Sequence, residues 1–333
     1  MKRLEKIKEA VTQNYSLRGI VTIEKIDLGF LSSNYRVSNN DKEFFLKGYR
    51  YSDIEKVKEI HTVKKFFASH GFPVILPLQN KTGKTITTIE DVHYALFPFV
   101  KGIHFNRGTI PDHIAKALGE NLAMMHACTQ KHPLVIKESF GAWSDSIALS
   151  RMDELIGIIE NIKTPNAFDR LALASLKFKE DLVKKDGKPL SDFALEPYIL
   201  LHGDYHEQNI FFDVSGKIKY IFDFEKATMG PRCFELWRSV DYMFLNGDFS
   251  DERISKAITY LKAYNAKNSI SKEELTNGLE IYYQRLIHSV WVEKEHYLKE
   301  NTRVDHFLET RSVEYLSKNQ EDFLDRILSE IYN

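Results

Sequence analysis

Two short segments decide the fold of this chain: His202-Gly-Asp-Tyr-His-Glu-Gln-Asn209 and Ile221-Phe-Asp-Phe-Glu225. The first follows an apolar run, Pro197-Tyr-Ile-Leu-Leu201, and the second follows a strand-like run from Lys217 to Phe222. Short apolar runs that end at polar residues are typical of buried strands. We therefore expect a pair of strands whose ends carry the two polar segments toward one place.

The polar side chains of these segments suit the transfer of a phosphoryl group. Asp204 can accept the proton of an attacking hydroxyl, and Asn209 and Asp223 can hold one or two Mg²⁺ ions through oxygen atoms. A proton acceptor and metal ligands are the groups that the transfer of a phosphoryl group from ATP to a hydroxyl requires. The letters H-G-D and Asn209 at this spacing should occur by chance roughly once in several hundred chains of this length.

Two other interpretations of the first segment remain open. It could be a solvent-exposed turn whose polar side chains cap neighbouring elements. Alternatively, His202, Asp204 and His206 could form an H-x-D-x-H metal cluster, because alternate residues of a strand face the same way. The metal cluster would leave Asn209 and Asp223 without a role. In the phosphoryl-transfer interpretation, His202 is expected to support the loop through buried hydrogen bonds.

Both segments resemble motifs of the aminoglycoside and choline phosphotransferase superfamily, which are small-molecule kinases with a protein-kinase-like fold. That family carries H-G-D-x-H-x-x-N followed by I-D-[FW]-[DE]. The stretches 118–126 and 230–237 also resemble family segments, and weaker similarity covers about 20–245. Two positions depart from the family pattern: Gln208 replaces a small residue, and Glu235 replaces an aspartate.

The resemblance implies an α+β, two-lobed protein-kinase-like fold. Residues 1–100 would form an N-terminal nucleotide-binding lobe, an antiparallel sheet plus a helix. Residues 101–333 would form a larger, helical catalytic and substrate-binding lobe. The residue pattern agrees, because a strand-rich first part followed by a helix-rich remainder predicts two segregated lobes. Their junction would be a natural cleft for a nucleotide.

Hydrophobic periodicity places the individual elements. Strands are predicted at 21–27, 34–37, 43–47, 76–79, 84–90 and 93–100. Helices are predicted at 1–14, 53–69, 111–130, 144–162, about 166–184, and from the second polar segment to the end. Asp53 is the expected N-cap of the second helix.

The resemblance also names residues that would bind ATP in the first lobe. Lys47 ends an apolar strand and would contact the α- and β-phosphates, held by Glu59 of the following helix, with Glu55 as the alternative. The loop 29–34 lies where a phosphate-covering loop belongs, so the hydroxyls of Ser32 and Ser33 could contact phosphates. A plain hairpin turn is the alternative there, because G-x-G-x-x-G is absent.

Acidic side chains follow the catalytic segments closely: Glu207, Glu225, Glu235 and Asp241. Carboxylates that stay free after metal binding attract amines, which favours an amine-bearing acceptor. Glu207 and Glu225 are the candidate acceptor contacts among them, together with His206 and Trp291. A structural role is the alternative for each of these side chains.

These observations predict an ATP-dependent O-phosphotransferase with a small-molecule hydroxyl substrate and Mg²⁺. The leading subtype is an antibiotic kinase for an aminoglycoside, macrolide or amicoumacin-like compound. A metabolic kinase for homoserine, choline or a sugar is the alternative, as is a catalytically silent structural or binding relative. A protein kinase is disfavoured, because H-R-D, D-F-G and A-P-E are absent. The acceptor, its hydroxyl, ATP versus GTP, the adenine-contacting hinge residues and the oligomeric state stay open.

Composition limits the partners and the compartment. A net charge of −1 over 333 residues provides no positive field for nucleic acid or an anionic membrane. Cys128 and Cys233 are isolated, which fits a reducing compartment. The first residues lack an apolar signal core, and no uncharged stretch is long enough to span a bilayer. We therefore expect a cytoplasmic protein.

Overall fold

The computed structural model describes residues 2–17, 19, 21–26, 32–40, 42–302, 304 and 308–332. The chain divides into two compact units, which we call the N-terminal unit (1–104 and 208–227) and the C-terminal unit (105–207 and 228–333). The predicted boundary at residue 100 differs in one respect, because residues 208–227 belong to the N-terminal unit. The functional assignment of the two parts stays a prediction.

The N-terminal unit contains a five-stranded antiparallel sheet in the order β1-β2-β3-β5-β4. Its strands are β1 (Val21–Ile26), β2 (Ser33–Asn39), β3 (Lys42–Gly48), β4 (Thr87–Ile89) and β5 (Val92–Pro98). The predicted N-terminal antiparallel sheet and the α+β fold class are thereby confirmed. The predicted strand at 76–79 is wrong, since these residues form no strand. Pro77 lacks the N–H that a strand ladder needs.

Two helices accompany this sheet, α1 (Lys2–Asn14) and α2 (Ile54–Ser69). Ile7 and Val11 of α1 are buried in one hydrophobic cluster with side chains of the sheet, among them Val37 and Leu46. Asp53 caps α2 as predicted, because its side chain accepts a hydrogen bond from Glu55 N. Burial of a few large apolar side chains on each helix supplies most of the favourable free energy of this packing.

The N-terminal unit also contains a short antiparallel hairpin. Its strands are β7 (Ile210–Phe212) and β8 (Ile218–Ile221). Asp213 closes its turn by accepting hydrogen bonds from Ser215 N and Lys217 N. Ile221 N donates to Pro73 O, which ties the hairpin to the segment after α2. This backbone bond is one reason why residues 208–227 belong with the first hundred residues.

The C-terminal unit is mainly helical, as predicted. Its helices are α3 (Asp112–Lys131), α4 (Asp145–Glu160), α5 (Ala167–Asp186), α6 (Arg232–Val240), α7 (Asp251–Lys267), α8 (Lys272–Ile287), α9 (Trp291–Lys299) and α10 (Leu308–Tyr332). A π-helical turn, Asp241–Leu245, directly follows α6. In the part of the chain that the structure describes, no helix is both long enough and apolar enough to cross a membrane.

Strands β6 (Tyr198–Leu201) and β9 (Thr228–Pro231) pair with each other in the C-terminal unit. Both strands that precede the polar segments are present as predicted, β6 paired with β9 and β8 paired with β7. Nearby, α3 and α7 approach closely at Gly119, where a Cβ would lie 2.3 Å from Tyr260 O. A side chain at this position would separate the two helices.

Candidate functional site

Lys47 of β3 forms the centre of a charged cluster in the N-terminal unit. Its Nζ lies 3.0 Å from Asp223 Oδ1 and also forms an ion pair with the Glu225 carboxylate. Burial alone would lower the pKa of Lys47, but the carboxylates of Asp223 and Glu225 raise it above the ordinary value. Lys47 is therefore a permanent cation, placed beside the second polar segment of the chain.

In the described part of the chain, no ion pair joins Glu59 to Lys47, so the partner expected from the sequence differs from the carboxylates observed beside Lys47. The carboxylates paired with Lys47 are those of Asp223 and Glu225. Glu59 lies 4.0 Å from Lys56 Nζ on the same helix, and Glu55 pairs with Lys58. The physical reason is that Glu225, in the turn after β8, reaches the ammonium of Lys47 directly.

Asp223 has an unusual backbone conformation, with φ 62° and ψ 57°. Residues other than glycine seldom adopt this left-handed conformation, and it marks many functional sites. The side chain is 37% exposed, so one part of its carboxylate faces solvent while Oδ1 contacts Lys47. Asp223 therefore combines backbone strain with an accessible carboxylate.

Asn209 and Asp223 flank the same end of the β7–β8 hairpin. Asn209 directly precedes β7, and its carbonyl accepts a hydrogen bond from Phe222 N at 3.1 Å. The pair offers one amide oxygen and one carboxylate, which are hard oxygen donors of the type that Mg²⁺ prefers. The residues present therefore fit a divalent cation. Asp204 lies in the other unit, so the predicted meeting of all three side chains stays a prediction.

Ser32 and Ser33 lie at the start of β2 and are partly exposed. Ser33 is paired with Gly48, next to Lys47 in the sheet. The predicted phosphate-covering loop extends over residues 29–31, which lie outside the described residues. The role of both hydroxyls stays a prediction.

Lys64 is a residue of this region that the sequence reasoning missed. It lies on α2, is only 5% exposed, and its Nζ is 4.4 Å from the centre of the Phe97 ring. Burial and the charge of Lys47 lower the pKa of Lys64, Asp223 and Glu225 oppose the shift, and the net result is a pKa of about 7. Helical spacing from the buried Val57 and Ile60 was the signal that could have placed it on the inner face.

Asp204 is buried in the C-terminal unit and is paired with an arginine. Arg238 Nη2 donates to Asp204 Oδ1 at 2.6 Å, and the guanidinium lies 4.4 Å from the centre of the Tyr242 ring. Burial would lower the pKa of Arg238, but the Asp204 carboxylate raises it well above the ordinary value. His206 stacks on the same tyrosine, with its Nε2 3.6 Å from Asp204 Oδ2.

Glu207 is fully buried beside this group. Arg107 Nε donates to Glu207 Oε1 at 3.1 Å, and its guanidinium lies 5.1 Å from the Tyr242 ring centre. His206 Nδ1 is 3.8 Å from the other oxygen of Glu207. Tyr242 is thus contacted by two guanidinium groups and one imidazole. Arg107, Arg238 and Tyr242 lie outside the motifs that the sequence shows.

Glu235 anchors the backbone of the His202-Gly203 segment. Its carboxylate accepts hydrogen bonds from His126 Nε2, at 2.9 Å, and from the backbone N–H groups of His202 and Gly203. Burial raises the pKa of Glu235, but His126, His202 and the backbone N–H of Gly203 together outweigh it, so the pKa is lowered overall. A glutamate therefore supports this loop where the family pattern has an aspartate.

The alternative metal cluster receives no support. His202 Nδ1 accepts a hydrogen bond from Asp204 N, so it serves the loop. Within the described ranges, no group of three or more His, Cys, Asp or Glu side chains could hold a metal ion.

Trp291 is the first residue of α9 and is 40% exposed. Among the described residues, its ring makes no recorded aromatic contact with the side chains around Asp204.

The fold of this chain resembles that of solved phosphotransferase structures. A spectinomycin phosphotransferase, solved with ADP and spectinomycin, matches with a TM-score of 0.59, at 16% identity and with 98% of each chain covered. This likeness defines the fold as that of phosphotransferases of the kinase-like type. Residues 22–267 match the model of the phosphotransferase enzyme family, APH. The chain belongs to this family, and it is a small-molecule kinase; the resemblance read from the sequence is confirmed.

Two relatives illustrate the range of the family. A homoserine kinase from a Caulobacter species (strain K31) is 24% identical over 269 residues, covering 78% of this chain and 77% of the relative. The serine/threonine protein kinase RdoA of Salmonella typhimurium (strain LT2) is 26% identical over 253 residues, covering 72% and 68%. The names of these relatives differ in the acceptor, so similarity alone does not select one for this chain.

Proposed function

We propose that the protein transfers the γ-phosphoryl group of ATP to a hydroxyl of a small molecule. The observation that carries the proposal is the Lys47–Asp223 pair, with Asn209 at the same end of the hairpin. A cation for the phosphates beside two oxygen donors for a metal is a nucleotide site rather than an ordinary ion pair. The bound ADP of the spectinomycin phosphotransferase supports a nucleotide as the donor.

Each named residue has a distinct role in this proposal. Lys47 binds the phosphates of ATP, and Asn209 and Asp223 hold Mg²⁺. When bound, the ion offsets the negative charge of the phosphates. Asp204 orients the acceptor hydroxyl and takes its proton. Glu235 fixes the backbone that carries Asp204, so the carboxylate is positioned before the acceptor arrives.

The expectation of an amine-bearing acceptor stays a prediction. That expectation rested on carboxylates left free to attract an ammonium group. Glu225 is paired with Lys47, Glu207 with Arg107, and Glu235 with His126. Each of these three carboxylates therefore has a partner within the protein, and Glu225 shares Lys47 with Asp223. Antibiotic and metabolic acceptors therefore both stay candidates.

The reaction is tested by following ADP release with Mg-ATP and a panel of acceptors: aminoglycosides, macrolides, amicoumacin, homoserine, choline and a serine-containing peptide. Asp204→Ala and Asp223→Ala should each abolish acceptor-dependent turnover. Asp213→Ala is the matched control, because Asp213 only closes the hairpin turn. Full turnover in both variants would refute the assignment. A catalytically silent relative would instead show no thermal shift with Mg-ATP.

A further inference from the structure

Arg238 of α6 is in direct contact with Asp204. Its Nη2 donates to Asp204 Oδ1 at 2.6 Å, and the two side chains are only 13% and 11% exposed. A carboxylate that is largely removed from water needs a cation beside it to stay ionised. A guanidinium group keeps its proton at any pH at which enzymes work. Arg238 therefore keeps Asp204 in the form that can accept a proton.

The guanidinium group of Arg238 is held in turn by Tyr242. It lies 4.4 Å from the centre of the Tyr242 ring, which is a distance for stacking. The hydroxyl of Tyr242 donates to Glu309 Oε1 at 2.9 Å, so the ring is fixed at its far edge. A free arginine side chain has about 2 kcal/mol of rotamer entropy to lose. Because the ring restricts the guanidinium group, the contact with Asp204 is more rigid.

The turn that carries Tyr242 is itself anchored to two helices. Tyr242 belongs to the π-helical turn Asp241–Leu245, and such turns occur frequently at functional sites. Asp241 is buried and accepts hydrogen bonds from the hydroxyls of Tyr282, at 2.6 Å, and Ser312, at 2.8 Å. These bonds tie the turn to α8 and α10. A continuous chain of contacts therefore runs from both helices through the turn to the arginine and its aspartate.

The surrounding charges favour an internal role for Arg238. Among the residues that the structure describes, and besides Asp241 and Tyr282, the titratable side chains that face Asp204, Arg238 or Tyr242 are Arg107, His206, Glu207, Arg285 and Glu309. Together with Asp204, Asp241 and Arg238, they make four carboxylates against three guanidinium groups and one imidazole. Glu207 Oε2 is buried and lacks a hydrogen-bond partner. The cluster has no surplus of positive charge for an anionic substrate.

We propose that Arg238 is a positioning residue of the phosphoryl transfer: it holds Oδ1 of Asp204, so that the carboxylate presents Oδ2 to the acceptor hydroxyl. The inference rests on the proposed function, in which Asp204 is the base. The hydroxyl proton passes to Asp204 as the hydroxyl oxygen bonds to the γ-phosphorus. The bond from that phosphorus to the bridging oxygen breaks, and ADP leaves. Arg238 touches none of the reacting atoms and acts through Asp204.

Arg238→Met removes the charge and the donors but keeps a long side chain. Its kcat should fall about 10- to 100-fold, because a base misplaced by about 1 Å loses up to two orders of magnitude in rate. The KM values for Mg-ATP and for the acceptor should stay within about twofold, since Arg238 binds neither. Without its cation Asp204 has a higher pKa, so the acid limb of the kcat–pH profile should move about 1–2 units to higher pH.

Arg238→Lys separates the charge from the geometry. Lysine keeps a positive charge near Asp204 but lacks the planar fork of donors. The acid limb should therefore return toward that of the wild type, whereas kcat should recover only in part. Arg151→Met, at an exposed arginine of α4, is the control for loss of a guanidinium group and should change neither quantity. Arg238→Lys decides the question even if Arg238→Met fails to fold, since full kcat in Arg238→Lys contradicts a need for the fork.

The assay is ADP release with the compound of the acceptor panel that gives the highest kcat/KM, or with water as acceptor if none reacts. Unchanged kcat and pH profile in both Arg238 variants, with lowered thermal stability alone, would show a structural ion pair and overturn the inference. A raised acceptor KM at unchanged kcat would also overturn it, because Arg238 would then bind the acceptor. In both cases, loss of turnover in Asp204→Ala leaves the proposed function standing. A wild-type protein that releases no ADP contradicts both.

Discussion

Replacement of Lys64 by methionine should raise the free energy of unfolding, and the gain should be largest at acid pH. Lys64 carries its ammonium group into the interior, where it is 5% exposed and faces the Phe97 ring. Burial lowers the pKa of this group from 10.5 to about 7 in the folded state. Methionine fills a similar volume without a charge, so it removes the cost of burial and keeps most of the packing.

The magnitude follows from the pKa. Below pH 7 Lys64 is protonated in both the folded and the unfolded chain. A pKa lowered from 10.5 to about 7 in the folded chain then reduces the free energy of unfolding by roughly 5 kcal/mol. Between pH 7 and 10.5 the unfolded chain binds a proton that the folded chain releases, so stability rises with pH. Between pH 6.5 and 9, about 2 kcal/mol of the cost should disappear.

Urea unfolding, followed by circular dichroism at pH 6.5, 7.5 and 9, measures this effect. The difference in free energy of unfolding between Lys64→Met and the wild type should shrink by about 2 kcal/mol over this range. Lys65→Met is the control, because Lys65 is the exposed neighbour on the same helix. A difference for Lys64→Met that stays constant with pH would show that the ammonium is not buried as described.

Three further predictions concern packing, the loop anchor and the thiols. Gly119→Ala should lower the free energy of unfolding in the same urea assay by about 1–3 kcal/mol, because its Cβ would meet the backbone of α7. Gly157 has open space around it, so Gly157→Ala should raise the free energy of unfolding by about 0.5–1 kcal/mol. Glu235→Gln should lower kcat and cost about 3 kcal/mol of stability, measured by steady-state kinetics and urea unfolding, because it breaks a buried pair. Cys128 should react with a thiol reagent in the native protein, and Cys233 only after unfolding, because burial raises the pKa of Cys233 to about 12.

Much of the fold was accessible from local patterns. Alternation of apolar residues predicted the strands at 21–27, 34–37 and 43–47, and helical periodicity predicted most of the long helices. The partner of β6 was not accessible in this way, since the segment Thr228–Pro231 contains a glycine and a proline and lacks the pattern of a strand. Pairing between distant segments depends on the whole fold, and a short, irregular strand carries little local signal.

In the candidate site too, local motifs predict some residues, and contacts between distant segments determine the others. The motif letters identified Lys47, and the structure places it beside Asp223. They did not identify Glu225 as a partner of Lys47, because the family pattern pointed to Glu59 or Glu55 of the following helix and only the three-dimensional course of the chain brings Glu225 to Lys47. Arg238 was missed for a related reason: its contact with Asp204 joins residues 34 positions apart, and no short motif records it.

The left-handed backbone of Asp223 has a consequence for the evolution of this chain. Glycine and asparagine adopt that conformation with less strain than most other residues. A lineage released from selection for turnover should therefore drift toward one of these two residues at this position. Loss of the carboxylate would then be an early step in the decay of an enzyme into an inert scaffold.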